Sequence, residues 1–326
     1  MLSAFSARFI HRRWGDRVLF RLGILANIMG LALLTSAYFA AGSAAYNLIL
    51  ADSILLGVGF GLTSTAINHL AAVLFSASAT RAITLLNAVI GGATAVSPLV
   101  LGYAAQSGGW FTWPLALLIL WVLLLLMPTA PSSKPAERHR ETGHFPVLAV
   151  AAVVIYAIVE GSFGSWASVF VSVNHHFAPA LGALALSAFW ASMTVARLVF
   201  GSLPDHILSR RRTYLAAPFG IAACFLALPW LTAAWALIAL FALAGVATSI
   251  YYPYSMAYAL AAEPGQTTYV AGLLVASLMI GEGVGSFGLG PLQAWISLPD
   301  LYLLSTLWTI PLLILAWRIS RPGTKR

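Results

Sequence analysis

Charge is scarce in this chain, and the scarcity decides its class. Only 8% of its 326 residues are Asp, Glu, Lys or Arg, and 60% are hydrophobic. An average soluble domain is about a quarter charged, so a water-soluble core has no room for this much apolar surface. Cysteine is scarcer still. Cys224 stands alone inside an apolar run, which excludes an intrachain disulfide and a thiolate metal cluster and leaves the role of a small buried hydrophobe. The chain lacks a GxxxxGK[ST] phosphate loop and an HExxH helix, which removes support for an ATP-driven pump and for a zinc protease. No set of nucleophile, base and oxyanion donors can be assembled, so neither enzyme chemistry nor a cofactor is expected. A cleavable signal peptide is not visible either, because Arg8, Arg12 and Arg13 fall in the first residues without an adequate apolar stretch before them.

What the sequence does have is long apolar runs. Each is 18 or more residues and covers about 30 Å of hydrocarbon at about 1.5 Å per residue. Ten candidate spans follow, over residues 18–40, 47–72, 81–104, 110–128, 147–172, 181–203, 213–231, 235–260, 268–290 and 299–317. The stub from Met1 to Ile10 reads as the tail of another. The expected fold is all-α, a polytopic bundle in the lipid bilayer.

Threading the spans back and forth puts Arg8 to Arg21, Arg81, Lys134 to Arg140, Arg210 to Arg212 and Arg318 to Arg326 on one side. The opposite loops, around 42–47, 106–111, 174–178, 232 and 297, hold no Lys or Arg. Positive-inside asymmetry then makes the basic loops and the C-terminus cytoplasmic, in a plasma membrane of the bacterial inner-membrane kind. The net charge of +8 is thereby accounted for, and without an aromatic-interleaved basic patch it does not indicate nucleic acid. The one long polar segment, 129–145, is rich in Pro, Ser and charge and reads as a cytoplasmic linker. It divides the chain into halves of four and six spans, 1–128 and 146–326.

The halves share motifs. Arg12 to Leu22 (RRWGDRVLFRL) pairs with Gly201 to Tyr214 (GSLPDHILSRRRTY), and Gly91 to Gly102 (GGATAVSPLVLG) with Gly281 to Pro291 (GEGVGSFGLGP). Both pairs resemble signatures of the major facilitator superfamily. There the loop between the second and third helices of each half reads G-x-L-x-D-R-x-G-R-R, and the fifth helix carries a Gly-rich stretch ending in Gly-Pro. The second copy keeps Gly201, Leu203, Asp205, Arg210 and Arg211. The first keeps Gly15 and Arg17 but has Arg12 at the acidic position, and Ser97-Pro98 stands for Gly-Pro. Counted against the family's twelve helices, the chain begins inside the second, so the first helix and most of the second are expected to be missing. Asn68, Leu85-Leu86-Asn87, Glu160-Gly161, Trp166, Phe189-Trp190 and Arg197-Leu198 are similar to the fucose-permease-like branch. That resemblance implies a proton-linked carrier of small solutes such as sugars. It also implies that the spans holding Asn68, Glu160 and Tyr252 face a central cavity, and that Gly15, Arg17, Gly201, Asp205, Arg210 and Arg211 form cytoplasmic gating loops.

Ionisable groups inside hydrocarbon cost at least about 2.5 to 3.5 kcal/mol each, so the acids within spans are candidates by default. Glu160 lies midway along its span and is the expected proton carrier, against the alternative of a neutral packing contact. Glu282 sits among Gly281, Gly283 and Gly285, which suit close helix approach, and divides evenly between ligand contact and structure. Asp52, near an outer helix end, is expected to be solvated. Arg197 lies four residues before Gly201, where it can snorkel, pair with a gate acid such as Asp205, or touch solute. Pro253 frees a backbone carbonyl among Tyr251, Tyr252 and Tyr254. Tyr252, Trp166 and Trp190 are candidate solute contacts, with packing the more ordinary role for an aromatic stripe. Asn68 and His69 share a span and suit a hydrogen bond or a proton relay. His175-His176, without a third ligand, is a weak metal signal, and no metal site is expected.

The expectation is therefore a secondary transporter of a small polar solute, coupled to protons and working by alternating access. Proton-driven efflux of drugs or metabolites is the alternative within that class. A truncated, transport-incompetent membrane protein acting as a relic or a partner is the alternative outside it. Oligomeric state is left open.

Overall fold

The computed structural model describes residues 2–74, 79–127, 146–203, 206–262 and 267–321, and among these residues every regular element is helical. Twelve α-helices follow in order. They are α1 (Leu2–Ala37), α2 (Gly42–Leu74), α3 (Ala79–Gln106), α4 (Thr112–Leu126), α5 (Val147–Val169), α6 (Pro179–Ser202), α7 (Arg210–Ala227), α8 (Ala234–Thr248), α9 (Tyr251–Ala262), α10 (Thr267–Leu292), α11 (Leu298–Ser305) and α12 (Thr309–Ile319). Among the described residues nine stretches are long and apolar enough to cross a membrane. With no water in the bilayer core, helices satisfy their own backbone groups, which is why the apolar runs take this form.

Three expectations need correction. Arg12 to Leu22 is helical on both sides of Gly15 instead of forming an open loop. Gly15 alone breaks the helix, at φ 79° and ψ 175°, a conformation glycine adopts without a Cβ penalty. The fourth span is only the 15-residue α4, about 22 Å at 1.5 Å per residue, because Met127 turns extended ahead of Pro128. The eighth span is one spanning stretch, Ala234–Ala262, but not one continuous helix: it breaks into α8 and α9 at Ser249 and Ile250, just before Pro253. The linker 129–145 lies outside the described residues.

The helices form two compact units. The first holds α1, α2, α4 and both ends of α3; the second holds the middle of α3, Gly91–Leu99, and α5 to α12. In the first unit α1 packs along α2 and α4. A Cβ on Gly23 would strike Thr63, and one on Gly59 would strike Asn27, so the α1 and α2 backbones are close. At the end of α1 the Tyr38 hydroxyl donates to the Gly108 carbonyl at 2.6 Å, with Phe111 against its ring at 4.6 Å.

In the second unit α5 is the hub, packed against α6, α9, α10 and α12. Its Phe163 stacks on Phe225 of α7 at 4.1 Å and on Tyr302 of α11 at 6.0 Å. The α5–α10 seam is glycine-dependent. A Cβ on Gly281 would lie 2.2 Å from the Val154 carbonyl oxygen, and one on Gly285 2.2 Å from that of Ile158. Gly283 faces open space, so two of the three glycines around Glu282 are there for helix approach and one is not. Cys224 is buried and unpaired, the small-hydrophobe role expected of it.

Candidate functional site

Proline begins the site. Pro253 has no N–H to give the carbonyl four residues back, so the Ser249 oxygen is left without its helical donor. Arg197, on α6, supplies the missing donor: its Nε reaches the Ser249 carbonyl at 3.1 Å. That bond fixes the guanidinium plane, and the other edge turns to α5. Nη2 donates to Glu160 Oε1 at 2.9 Å and to the Tyr156 hydroxyl at 3.4 Å. Tyr156 and Glu160 are four residues apart on one helix and therefore share a face. The pair is unequal in exposure, 37% for the Arg197 side chain against 4% for that of Glu160.

Glu282 completes the cluster. The glycine seam brings α10 so close that a Cβ on Gly161 would touch the Glu282 carbonyl, and the Glu282 carboxyl lies within electrostatic range of Glu160 and Arg197. Tyr252, half-buried on α9, lies within electrostatic range of both Glu160 and Arg197. Behind them a stack of phenols holds Tyr156 in place. Tyr156 lies parallel to Tyr251 at 5.4 Å, Tyr251 packs on Tyr214 at 4.8 Å, and the Tyr251 hydroxyl donates to the Leu312 carbonyl at 2.7 Å. One guanidinium, two carboxyls and two phenols thus meet in the middle of the second unit.

The expected residues sort as follows. Glu160, Glu282, Arg197 and Tyr252 come together. Among the described residues Arg197 turns inward to the Ser249 carbonyl and Glu160, although its place near the helix end suggested a snorkelling or gate position. Asp205 lies outside the described residues. Trp166 spends its Nε1 hydrogen on the Ser286 carbonyl at 3.0 Å and ties α5 to α10. Trp190 packs edge-on to Phe189 and against Gly164. Asn68 and His69 belong to α2, but their side chains lie outside the described residues. Gly201, at the end of α6, and Arg211 are exposed; Arg210 sits over the Tyr254 ring at 5.9 Å; Gly15 makes the break in α1, and Arg17 is exposed just after it.

Asp52 corrects the expectation of solvation. It is 4% exposed, set against Gly30 of α1, and its Oδ1 has no hydrogen-bond partner among the described residues. Asn27, which the sequence reading passed over, is equally buried with its Nδ2 unpartnered. Its position between Gly23 and Gly30 on the face of α1 that meets α2 was the available signal. His175 lies beside Phe170 at 4.9 Å and near Phe177 at 6.2 Å; burial, and then the neighbouring His176, lower its pKa from the ordinary 6.5. Among the described residues no three His, Cys, Asp or Glu side chains gather as a metal site would require.

No curated protein matches the chain in sequence. Solved structures do match in fold. A single-residue variant of the fucose:proton symporter of E. coli aligns over 99% of this chain and 88% of its own, with TM-score 0.58 and 18% identity. A POT family transporter bound to 5-aminolevulinic acid aligns over 98% and 85%, with TM-score 0.72 and 11% identity. A POT family transporter bound to a thioalcohol-conjugated peptide covers the same shares at TM-score 0.73 and 11% identity. The Major Facilitator Superfamily model matches residues 1–203. This integral membrane protein of spanning helices belongs to the major facilitator superfamily and is a secondary transporter.

Proposed function

We propose that the chain carries a small polar solute together with protons by alternating access, and that Glu160, Arg197 and Glu282 form the proton-exchanging site. The observation that carries this reading is the charge composition of the cluster. Glu160 already occupies the Arg197 guanidinium at 2.9 Å, so a second carboxylate at Glu282 beside it would leave an uncompensated charge. The cluster in its neutral state therefore already holds one proton, and a second proton on Glu160 breaks its ion pair with Arg197.

That break supplies a switch. With Glu160 charged, α5 and α6 are tied through Arg197 to the α8–α9 break. With Glu160 neutral the tie weakens and the two states of the carrier can exchange. The proposed frame is two halves, 1–128 and 146–326, joined by the linker 129–145, with the basic loops and C-terminus on the cytoplasmic side of a bacterial-type plasma membrane. Gly15, Arg17, Gly201, Asp205, Arg210 and Arg211 would bias the inner gate from those loops. The similarity in fold to a fucose:proton symporter supports a sugar-like solute without specifying one.

Glu160→Gln is the deciding variant. In proteoliposomes it is expected to bind and exchange solute while losing accumulation driven by a pH gradient. Accumulation equal to that of the unaltered protein would overturn the assignment.

A further inference from the structure

The protonated cluster carries a charge that a neutral solute cannot balance. Arg197 contributes +1 at every accessible pH, since a guanidinium does not deprotonate in proteins. One proton shared between Glu160 and Glu282 brings the cluster to zero, and a second leaves +1. The charged or titratable groups that face it are Tyr156 on α5, Arg197 on α6, Tyr252 on α9 and Glu282 on α10. The α8 end offers only the Ser249 carbonyl, and α12 carries a single ionisable group, Arg318, in its last turn. Among the described residues of these elements no third acid faces the cluster, so a second proton leaves the guanidinium charge unbalanced.

Arg197 is also built to receive an anion. Its Nε bond to the Ser249 carbonyl does not depend on the state of Glu160, so the guanidinium keeps its orientation when the ion pair opens. Nη1 has no partner among the described residues, and the side chain is 37% exposed where Glu160 is 4%. An oriented guanidinium with one open nitrogen and another about to be released matches the two oxygens of a carboxylate. The Tyr252 hydroxyl, nearby, is a further donor.

We infer that the solute is an organic monoanion whose carboxylate takes the place of Glu160 on Arg197 once Glu160 is protonated. This rests on the proton-coupled reading above and narrows its substrate to hydroxy acids or sugar acids. Each turnover then moves one proton with one monoanion and no net charge.

The test uses the full chain in detergent, titrated calorimetrically with lactate, gluconate, glucuronate and neutral fucose at pH 5.5, 6.5 and 7.5. At least one acid is expected to bind, its apparent affinity falling by up to about tenfold per pH unit, as linkage to one proton requires. Fucose is expected not to bind. Arg197→Gln should abolish acid binding and Arg197→Lys should retain a weakened form of it. If Arg197→Gln fails to fold, the pH series on the unaltered protein decides alone. Binding of fucose with this pH dependence, and of none of the acids, overturns the monoanion while keeping the proton-coupled carrier. Acid binding that ignores pH overturns both. Failure of all three acids to bind overturns the monoanion, as does uptake of a bound acid into proteoliposomes that responds to membrane potential.

Discussion

The two units treat buried polar groups in opposite ways. In the first, Asp52 and Asn27 lie between α1 and α2 with Oδ1 and Nδ2 unpartnered among the described residues. In the second, the Arg197 guanidinium ties together Glu160, Tyr156 and the carbonyl freed by Pro253, with Glu282 alongside. The difference is one of helix number at the polar site. Two helices in a glycine-lined seam offer each other few donors, whereas α5, α6, α8 and α10 surround one point. The lesson is that an ionisable residue in a span is not informative by itself; its partners decide whether it is a switch or a cost.

Removing one partner from the satisfied cluster should give the largest effect. Arg197→Ala leaves Glu160 buried without its cation, and a loss of about 3 kcal/mol is expected, the low end for buried pairs because Arg197 is partly exposed. Thermal unfolding in detergent measures it. A loss below about 1 kcal/mol would mean the second unit's cluster is as loosely partnered as the first unit's pair.

Next come the glycines that build the cluster. Gly281→Ala and Gly285→Ala place a Cβ against backbone carbonyls of α5 and should each cost about 1 to 3 kcal/mol. Gly283→Ala, with open space around it, should cost nothing and gain up to about 1 kcal/mol of helix propensity. Equal costs at all three positions would show that helix approach is not what sets the seam.

A smaller effect of opposite sign is expected in the first unit. Asp52→Asn removes a buried carboxylate whose Oδ1 has no partner among the described residues and should raise stability at pH 8 by roughly 1 kcal/mol, where Glu160→Gln lowers it. If Asp52→Asn instead destabilises the protein and uncouples transport, the first unit has a working carboxyl of its own and the contrast collapses.

The smallest expected effect lies at His175, just beyond the C-terminal end of α5. His175 in the folded protein binds its proton less readily than the ordinary 6.5, because burial and then His176 oppose the charge. The unfolded chain therefore holds more protons just below pH 6.5, and the stability from neutral His175 is present above that pH and lost as pH falls. His175→Phe should flatten this acid branch of an unfolding-temperature profile and leave the branch above pH 7 unchanged.

Much of the fold was legible because its causes are one-dimensional. Apolar runs of spanning length placed most helices to within a few residues, although α1 begins well ahead of the first run and takes in the first copy of the loop motif. Breaks inside spans were harder. Gly15 and Pro253 marked them, but whether a Gly or Pro bends or interrupts a helix depends on what else can satisfy the backbone. The site was half legible. Glu160 and Glu282 stood out as charges in hydrocarbon, yet Arg197 read as a helix-end cation, because its nearness to Gly201 in sequence hid its nearness to Glu160 in space.

By itself, then, the sequence determined that this is a membrane bundle, since composition and run length leave hydrocarbon as the only solvent that suits these helices. It also determined the family resemblance and the short list of intramembrane acids. Only the tertiary structure decided that Arg197, 37 positions beyond Glu160 and 52 before Ser249, holds both at once, and that Asp52 is buried with its Oδ1 unpartnered among the described residues. The physical reason is that pairing depends on which faces four helices turn toward one point, and that is fixed by packing at Gly281 and Gly285 and by one missing N–H at Pro253.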